Sequence, residues 1–200
     1  MSALANFSPA AVTVLKLLAY PFRAAPTADI VADGVAFLAG GGTAAQLLNF
    51  LFNLKVPQSP FTAYASTSTD GTFASALVDN LTDGSAIGVA KKAAWVAELT
   101  PMVAQSATRG DLVMAVIAVV ESYQGTDADV GSLKALFAAR VATATAFAQS
   151  AAGALYNGQG FAQLLAPMAP PSYHLSADAD VFNEGTSITL SLATTNVPAG

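Results

Sequence analysis

The first 165 residues carry apolar positions at helical spacing, separated by frequent helix start and stop signals. Ser8 before Pro9 is typical of a helix N-terminus, and Thr27, Thr43 and Thr108 have the same place before later apolar stripes. The pattern predicts an all-α fold, a helical bundle of seven or eight helices. The predicted helices begin near residues 8, 27, 43, 72, 85, 108 and 126, and a short eighth spans about 160–166.

The sixth of these helices is predicted to be central and buried. Its apolar residues point in nearly every direction around the helix axis. They are Leu112, Met114, Val116, Ile117 and Val120. Pro101 is expected to end the helix before it, and the helix after it is expected to continue to Gly153.

After Pro171 the pattern changes to period-two alternation in Thr, Ser and Val. Ile188, Leu190 and Leu192 alternate with smaller or polar residues, which predicts a strand with one buried face. Two strands alone bury too little surface to be stable. We therefore expect residues 1–166 to form the helical domain, 167–172 a proline-rich linker, and 173–200 the first strands of an incomplete β-sandwich domain.

The composition of the chain argues against several classes of function. The 200 residues are 54% hydrophobic but only 8% aromatic and 10% charged, against about 25% charged in an ordinary globular chain. The net charge of −5 argues against a nucleic-acid partner. No apolar run approaches the roughly 20 residues that span a bilayer, and the N-terminus lacks a cleavable secretory signal. The chain has no cysteine, which excludes thiolate chemistry.

A weak internal repeat is visible, in which segments near residues 17–20, 24–27, 34–38 and 41–43 align with 76–80, 82–84, 95–96 and 106–109. The order of a helix, an acidic turn with glycine, Trp95-Val96, and then Thr108-Arg109 resembles the DUF4214 family. The family's Arg-Asp-Pro-Asp turn is replaced by Thr82-Asp83-Gly84 in the second copy and by residues 23–26 in the first.

The C-terminal segment resembles the start of the Calx-β and immunoglobulin-like repeats of bacterial adhesins. The resemblance rests on Asn183-Glu184-Gly185 between two predicted strands and on the run from Thr194 to Gly200. Together the two resemblances imply an exported surface-layer or adhesin protein of a Gram-negative bacterium. They also imply type I secretion, a cell-surface location and attachment of the helical module to lipopolysaccharide.

Catalysis has little support in the residues. His174 is the only histidine, and it lies in a predicted strand of an unfinished domain, which is a poor place for a Ser-His-Asp triad. The acid pairs Asp79 with Asp83 and Asp127 with Asp129 are accounted for as turn and helix-capping residues. We therefore expect a protein that is not an enzyme.

Calcium is the one candidate cofactor. Asp178, Asp180 and Glu184 fall within seven residues of one predicted loop, and hard carboxylate oxygens are the ligands that calcium takes. The alternative is that the three acids are simply solvated.

The first candidate residues for binding a glycan or lipopolysaccharide are Lys91 and Lys92, the only adjacent basic pair, and Trp95 on the same helix. Lysines can meet phosphates, and an exposed tryptophan can stack on a sugar face. The alternative is a core tryptophan beside solvated lysines. Weaker candidates of the same kinds are Arg109, Tyr20, Arg23 and Tyr64.

The resulting hypothesis is a structural anchor that attaches a surface-layer protein to lipopolysaccharide and assists self-assembly of the full-length protein. Two alternatives stay open: the helical region is only the cap of a repeat adhesin, or it is an accessory module of an extracellular hydrolase.

Overall fold

The computed structural model describes residues 7–53, 64, 68–150, 153, 172–177 and 190–195, the last two ranges for their backbone only. The chain divides into two compact units, Met1–Met168 and Ala169–Gly200.

The described part of the first unit contains helices and connecting turns but no strand, which confirms the all-α prediction for this part of the chain. Seven helices are found within it: α1 Pro9–Ala19, α2 Ala28–Ala39, α3 Ala44–Phe52, α4 Asp70–Thr82, α5 Val89–Gln105, α6 Arg109–Ser122 and α7 Ala128–Ala148. The eighth predicted helix, at 160–166, lies outside the described residues.

Side-chain caps fix several of the helix starts. Ser8 accepts a hydrogen bond from the Ala11 backbone N–H, as Pro9 at the first helical position predicts. Thr43 forms a capping box with Gln46, in which each side chain accepts from the other residue's backbone N–H. Thr108 accepts from the Asp111 N–H. These starts agree with the sequence because the capping interaction spans only three residues.

Both ends of α5 were predicted wrongly. Ser85 does not begin the helix, because its hydroxyl donates to the Thr82 carbonyl and accepts from the Ile87 N–H, closing a turn after α4 instead. Pro101 does not end the helix, which continues to Gln105. Proline removes one backbone donor, but Ala97 and Pro101 both lie on the exposed side, so water can satisfy the freed carbonyl.

Aromatic rings form the centre of the core. Tyr64 lies with its ring centroid 5.3 Å from that of Phe22, 5.0 Å from Phe52 and 5.4 Å from Phe73, and the rings meet edge to face or tilted. Buried leucines and valines from the helices surround this cluster. The core thus combines a compact aromatic centre with aliphatic side chains from the helices.

Helix α6 is buried on one side only. Leu112, Ile117 and Val120 are buried as predicted, and Val116 is partly buried against the core. Val119, however, is 63% exposed. The prediction of a central, buried helix therefore holds for one side of α6 only, because an apolar composition does not by itself require a neighbour on every face.

Helices α3 and α6 approach each other closely through Gly110. A Cβ atom at this position would lie 2.2 Å from the Ala45 carbonyl oxygen of α3. The Asn49 side chain of α3 accepts from the Gly110 N–H at 2.8 Å and donates to the Thr108 hydroxyl at 2.8 Å. A side chain of α3 thereby helps to cap the N-terminus of α6.

A buried arginine of α7 joins the ends of two other helices. Arg140 is 2% exposed and donates to the carbonyl oxygens of Tyr20 at 3.0 Å and Asp83 at 2.6 Å. Tyr20 is the C-cap of α1 and Asp83 the C-cap of α4, where a cation is favoured by the helix dipole. Burial lowers the pKa of Arg140 to about 10, so its guanidinium stays charged at neutral pH.

The described part of the second unit is one antiparallel strand pair. Strand β1, Ser172–Ala177, pairs with β2, Leu190–Thr195, in a register that sets His174 opposite Ala193. Ile188, predicted to open the second strand, lies outside the described residues. A strand pair does not by itself test the β-sandwich, which stays a prediction.

Candidate binding face on helix α5

Helix α5 is the least buried of the long helices. Val103 is its only fully buried residue, and its main packing partner is α4. The basic pair Lys91 and Lys92 lies in its first turns, and Trp95 follows one turn later. We call these three residues the α5 face.

Lys91 and Trp95 are in contact across one helical turn. The Lys91 Nζ lies 5.8 Å from the Trp95 ring centroid, within the range of a cation–π interaction. The same ammonium lies 3.3 Å from Asp127 Oδ2, in an ion pair whose side chains are each 40% exposed. An exposed pair of this kind contributes little to stability, because water and salt screen the two charges. A competing anion can therefore displace Asp127 from Lys91 at little cost.

Asp127 is the main charge that opposes an anion here. Its carboxylate caps α7, and a hydrogen bond from the Val130 backbone N–H, aided by Lys91, lowers its pKa. The carboxylate is therefore ionised at neutral pH. Lys92, by contrast, makes no ion pair with any of the described residues.

Trp95 borders an open groove of about 270 Å³ between α5 and the surfaces of α4, α6 and α7. Thr82 and Glu98 are the polar residues among its lining, and the rest is apolar. Met102 on one wall and Val119 on another are unusually exposed for their type. Trp95 is thus partly buried: it packs against the hydrophobic core and also borders the groove.

Tyr20, a weaker candidate, is 2% exposed. Its ring stacks on Phe137 at 4.1 Å between centroids, and its hydroxyl donates to Glu121 at 2.9 Å. Burial and the neighbouring carboxylate raise its pKa. A glycan can reach Tyr20 only if α1 and α7 separate.

Tyr64 is fully buried in the aromatic centre. Its hydroxyl donates to the Pro21 carbonyl at 2.6 Å and accepts from the Asn80 amide at 2.8 Å. Burial raises its pKa as well. In this conformation the ring offers no face on which a sugar can stack.

The two arginine candidates are engaged in the fold. Arg23 forms an ion pair with Asp83. Arg109 donates to the Ser68 carbonyl at 2.7 Å, and its guanidinium lies 4.7 Å from the Phe73 ring centroid. Of the seven candidates, only the α5 face is brought together on one surface.

The calcium candidates Asp178, Asp180 and Glu184 lie outside the described residues, and His174 is described only as backbone in β1. Within the described ranges, no three acidic, histidine or cysteine side chains come close enough to share a metal ion.

The sequence pattern does not predict the groove. Its walls come from four helices, so no single segment reveals it. One local signal was present: Trp95, Leu99 and Met102 form an apolar stripe that continues from the basic pair along α5.

No family model, curated protein or solved structure matches this chain. The resemblances to the DUF4214 and Calx-β families stay predictions. None of the helices in the described ranges is long and apolar enough to cross a membrane.

Proposed function

We propose that this chain is a non-enzymatic anchoring module of an exported bacterial surface-layer protein, and that it attaches the protein to lipopolysaccharide through the α5 face. The observation that carries the proposal is the grouping of Lys91, Lys92 and Trp95 on an exposed helix. Phosphate groups would form ion pairs with the ammonium groups of Lys91 and Lys92, and a sugar ring would stack on the indole of Trp95.

The scarcity of other cations supports this choice of surface. Lys16 pairs with Glu121, Lys134 donates to the Tyr123 carbonyl, and Arg140 is buried. Arg23 pairs with Asp83, and Arg109 donates to the Ser68 carbonyl. Among the described basic side chains, Lys92 is thus the most available to an external anion, and Lys91 gives up only an exposed partner.

The second part of the proposal concerns residues 173–200. We propose that they open a β-sandwich repeat, that Asp178, Asp180 and Glu184 hold calcium there, and that the protein is exported by a type I system to the cell surface. The antiparallel pairing of β1 with β2 is compatible with the first two strands of such a repeat.

The test of the anchor compares two double variants in binding to purified lipopolysaccharide. Lys91→Gln with Lys92→Gln removes both charges of the α5 face. Lys16→Gln with Lys134→Gln removes two positive charges elsewhere and serves as the matched control. Circular dichroism verifies that both variants fold.

We expect the α5 variant to bind at least several-fold more weakly than the control. Its remaining affinity is also expected to depend less on salt, because contacts between exposed charges are screened at about 8 to 10 Å at physiological ionic strength. Equal binding by the two variants would remove the α5 face from the proposal. Absence of binding by the unaltered chain would leave the helical region as the cap of a repeat adhesin.

A further inference from the structure

The groove beside Trp95 differs chemically from a sugar-binding site. Sugar hydroxyls need hydrogen-bond partners, yet Thr82 already donates its hydroxyl to the Val78 carbonyl at 2.7 Å. Glu98 is the other polar lining residue. The walls are formed by apolar side chains such as Leu81, Leu99 and Val116. A ligand that fills this space must itself be apolar.

The length of the groove suits an extended alkyl chain. From Trp95 to Met102 the groove follows α5 over about 10 Å, at the helical rise of 1.5 Å per residue. It is an open groove of about 270 Å³ with an almost entirely apolar lining. A single alkyl chain can therefore lie along it.

The charges around the groove are unequal along its length. Lys91 lies over Trp95 at one end, with Lys92 next to it in the chain, and the Asp127 carboxylate paired with Lys91 leaves a net positive charge there. Glu98 lies one turn further along α5 and repels an anion there. An amphiphile with an anionic head is therefore favoured in one direction, with its head at the lysines and its chain running towards Met102.

We propose that the groove between α5 and helices α4, α6 and α7 binds a single acyl chain of an anionic membrane lipid, with the lipid phosphate at Lys91 and Lys92. This inference rests on the proposed function for the source of the lipid, the outer-membrane glycolipid itself. Anchoring would then use an acyl chain as well as the polar part of lipopolysaccharide.

Trp95 makes the inference directly measurable, since it is the only tryptophan of the chain. The probe is dodecyl phosphate, titrated below its critical micelle concentration while tryptophan emission is recorded. Saturable binding is expected to shift the emission to shorter wavelength, because the chain replaces water beside the indole. In a series of alkyl phosphates, affinity is expected to rise about fourfold per methylene until the groove is full.

Two alanines of α6 provide matched variants. Ala115 lines the groove, whereas Ala118 is exposed on the same helix and does not line it. Ala115→Phe fills the groove, and Ala118→Phe adds the same side chain outside it. We expect Ala118→Phe to bind dodecyl phosphate like the unaltered chain and Ala115→Phe to lose at least tenfold in affinity.

A second comparison tests whether the phosphate head group of the probe contributes to binding. Dodecyl phosphate is expected to bind more tightly than dodecanol to the unaltered chain, and this preference is expected to disappear in the Lys91→Gln, Lys92→Gln variant. Equal binding by the two phenylalanine variants, or no saturable emission change, would overturn the inference. Dimerisation of the chain that Ala115→Phe abolishes would also overturn it, because a second copy would then occupy the groove.

A separate arm uses the polysaccharide of lipopolysaccharide after its acyl chains have been removed. If this polysaccharide binds but dodecyl phosphate does not, the acyl-chain inference fails and the proposed anchor stands. If dodecyl phosphate binds but intact lipopolysaccharide does not, the proposed anchor fails instead.

Discussion

Replacement of Gly110 by alanine tests how closely helices α3 and α6 pack against each other. Alanine is the better helix former by about 1 kcal/mol, so helix propensity alone predicts a more stable protein. The structure predicts the reverse. The new Cβ would lie 2.2 Å from the Ala45 carbonyl oxygen and 2.9 Å from its carbon. Both are backbone atoms, which cannot rotate away as a flexible side chain can.

The expected cost follows from this geometry. Ordinary carbon contacts lie at about 3.5 Å, so α3 and α6 must separate by about 1 Å, and such a gap forfeits a quarter to a half of the dispersion energy of the affected contacts. Overpacking of this kind costs about 1–3 kcal/mol. Separation also strains the Asn49 hydrogen bonds to Gly110 and Thr108, each contributing about 1 kcal/mol. After subtraction of the propensity gain, we expect a net loss of about 1–3 kcal/mol.

Urea unfolding followed by circular dichroism measures this loss, and Gly131→Ala is the matched control. Gly131 lies in α7, and a Cβ atom there would meet nothing within 4 Å. The control is expected to be more stable than the unaltered chain by about 0.5–1 kcal/mol. If Gly110→Ala were stabilised by a similar amount, the close α3–α6 contact would be refuted.

Three further predictions concern the core and the helix ends. Ile117→Ala is expected to cost about 2–5 kcal/mol in unfolding free energy, and Val119→Ala less than about 0.5 kcal/mol, because only Ile117 is buried; similar losses would contradict the assigned face of α6. Arg140→Lys keeps the charge, but one ammonium replaces a fork that reaches both Tyr20 and Asp83, so we expect a loss of about 1.5–3 kcal/mol by urea titration; an unchanged midpoint would refute its bridging role. Asp127→Ala removes the α7 cap and is expected to lower the melting temperature at pH 7, with Asp127→Asn closer to the unaltered chain. Because the folded-state pKa of Asp127 is lowered, the stability that depends on its ionisation is present above about pH 4 and lost as pH falls through the folded pKa, so the difference from Asp127→Ala is expected to shrink in acid; a difference that grows there would have the wrong sign.

Features that depend on a few neighbouring residues could be predicted from the sequence. The starts of α1, α3 and α6 were predicted correctly because Ser8, Thr43 and Thr108 cap backbone groups within three residues. The starts of α4 and α5 were not. Thr69 caps α4 before the expected start near Thr72, and Ser85 closes a turn that sequence alone does not distinguish from a helix cap.

Features that depend on distant partners could not be predicted. Tyr20 and Tyr64 have the amphipathic character of residues that bind a ligand at a protein surface. Their burial depends on residues that are not their neighbours in sequence, because Tyr20 packs on Phe137 and Tyr64 on rings such as that of Phe52. A proline ends most helices, yet the exposed position of Pro101 permits α5 to continue. For the candidate site, the adjacent lysines and Trp95 were evident in the sequence, whereas the groove required the positions of four helices.

Isothermal titration calorimetry of the 200-residue chain with purified lipopolysaccharide tests the proposed anchoring function without any substitution. A neutral polysaccharide without phosphate or lipid serves as the reference ligand. We expect saturable binding to lipopolysaccharide that weakens between low and physiological ionic strength, and no binding to the neutral reference. If no heat of binding to lipopolysaccharide is detected at low ionic strength, the α5 face does not anchor the protein.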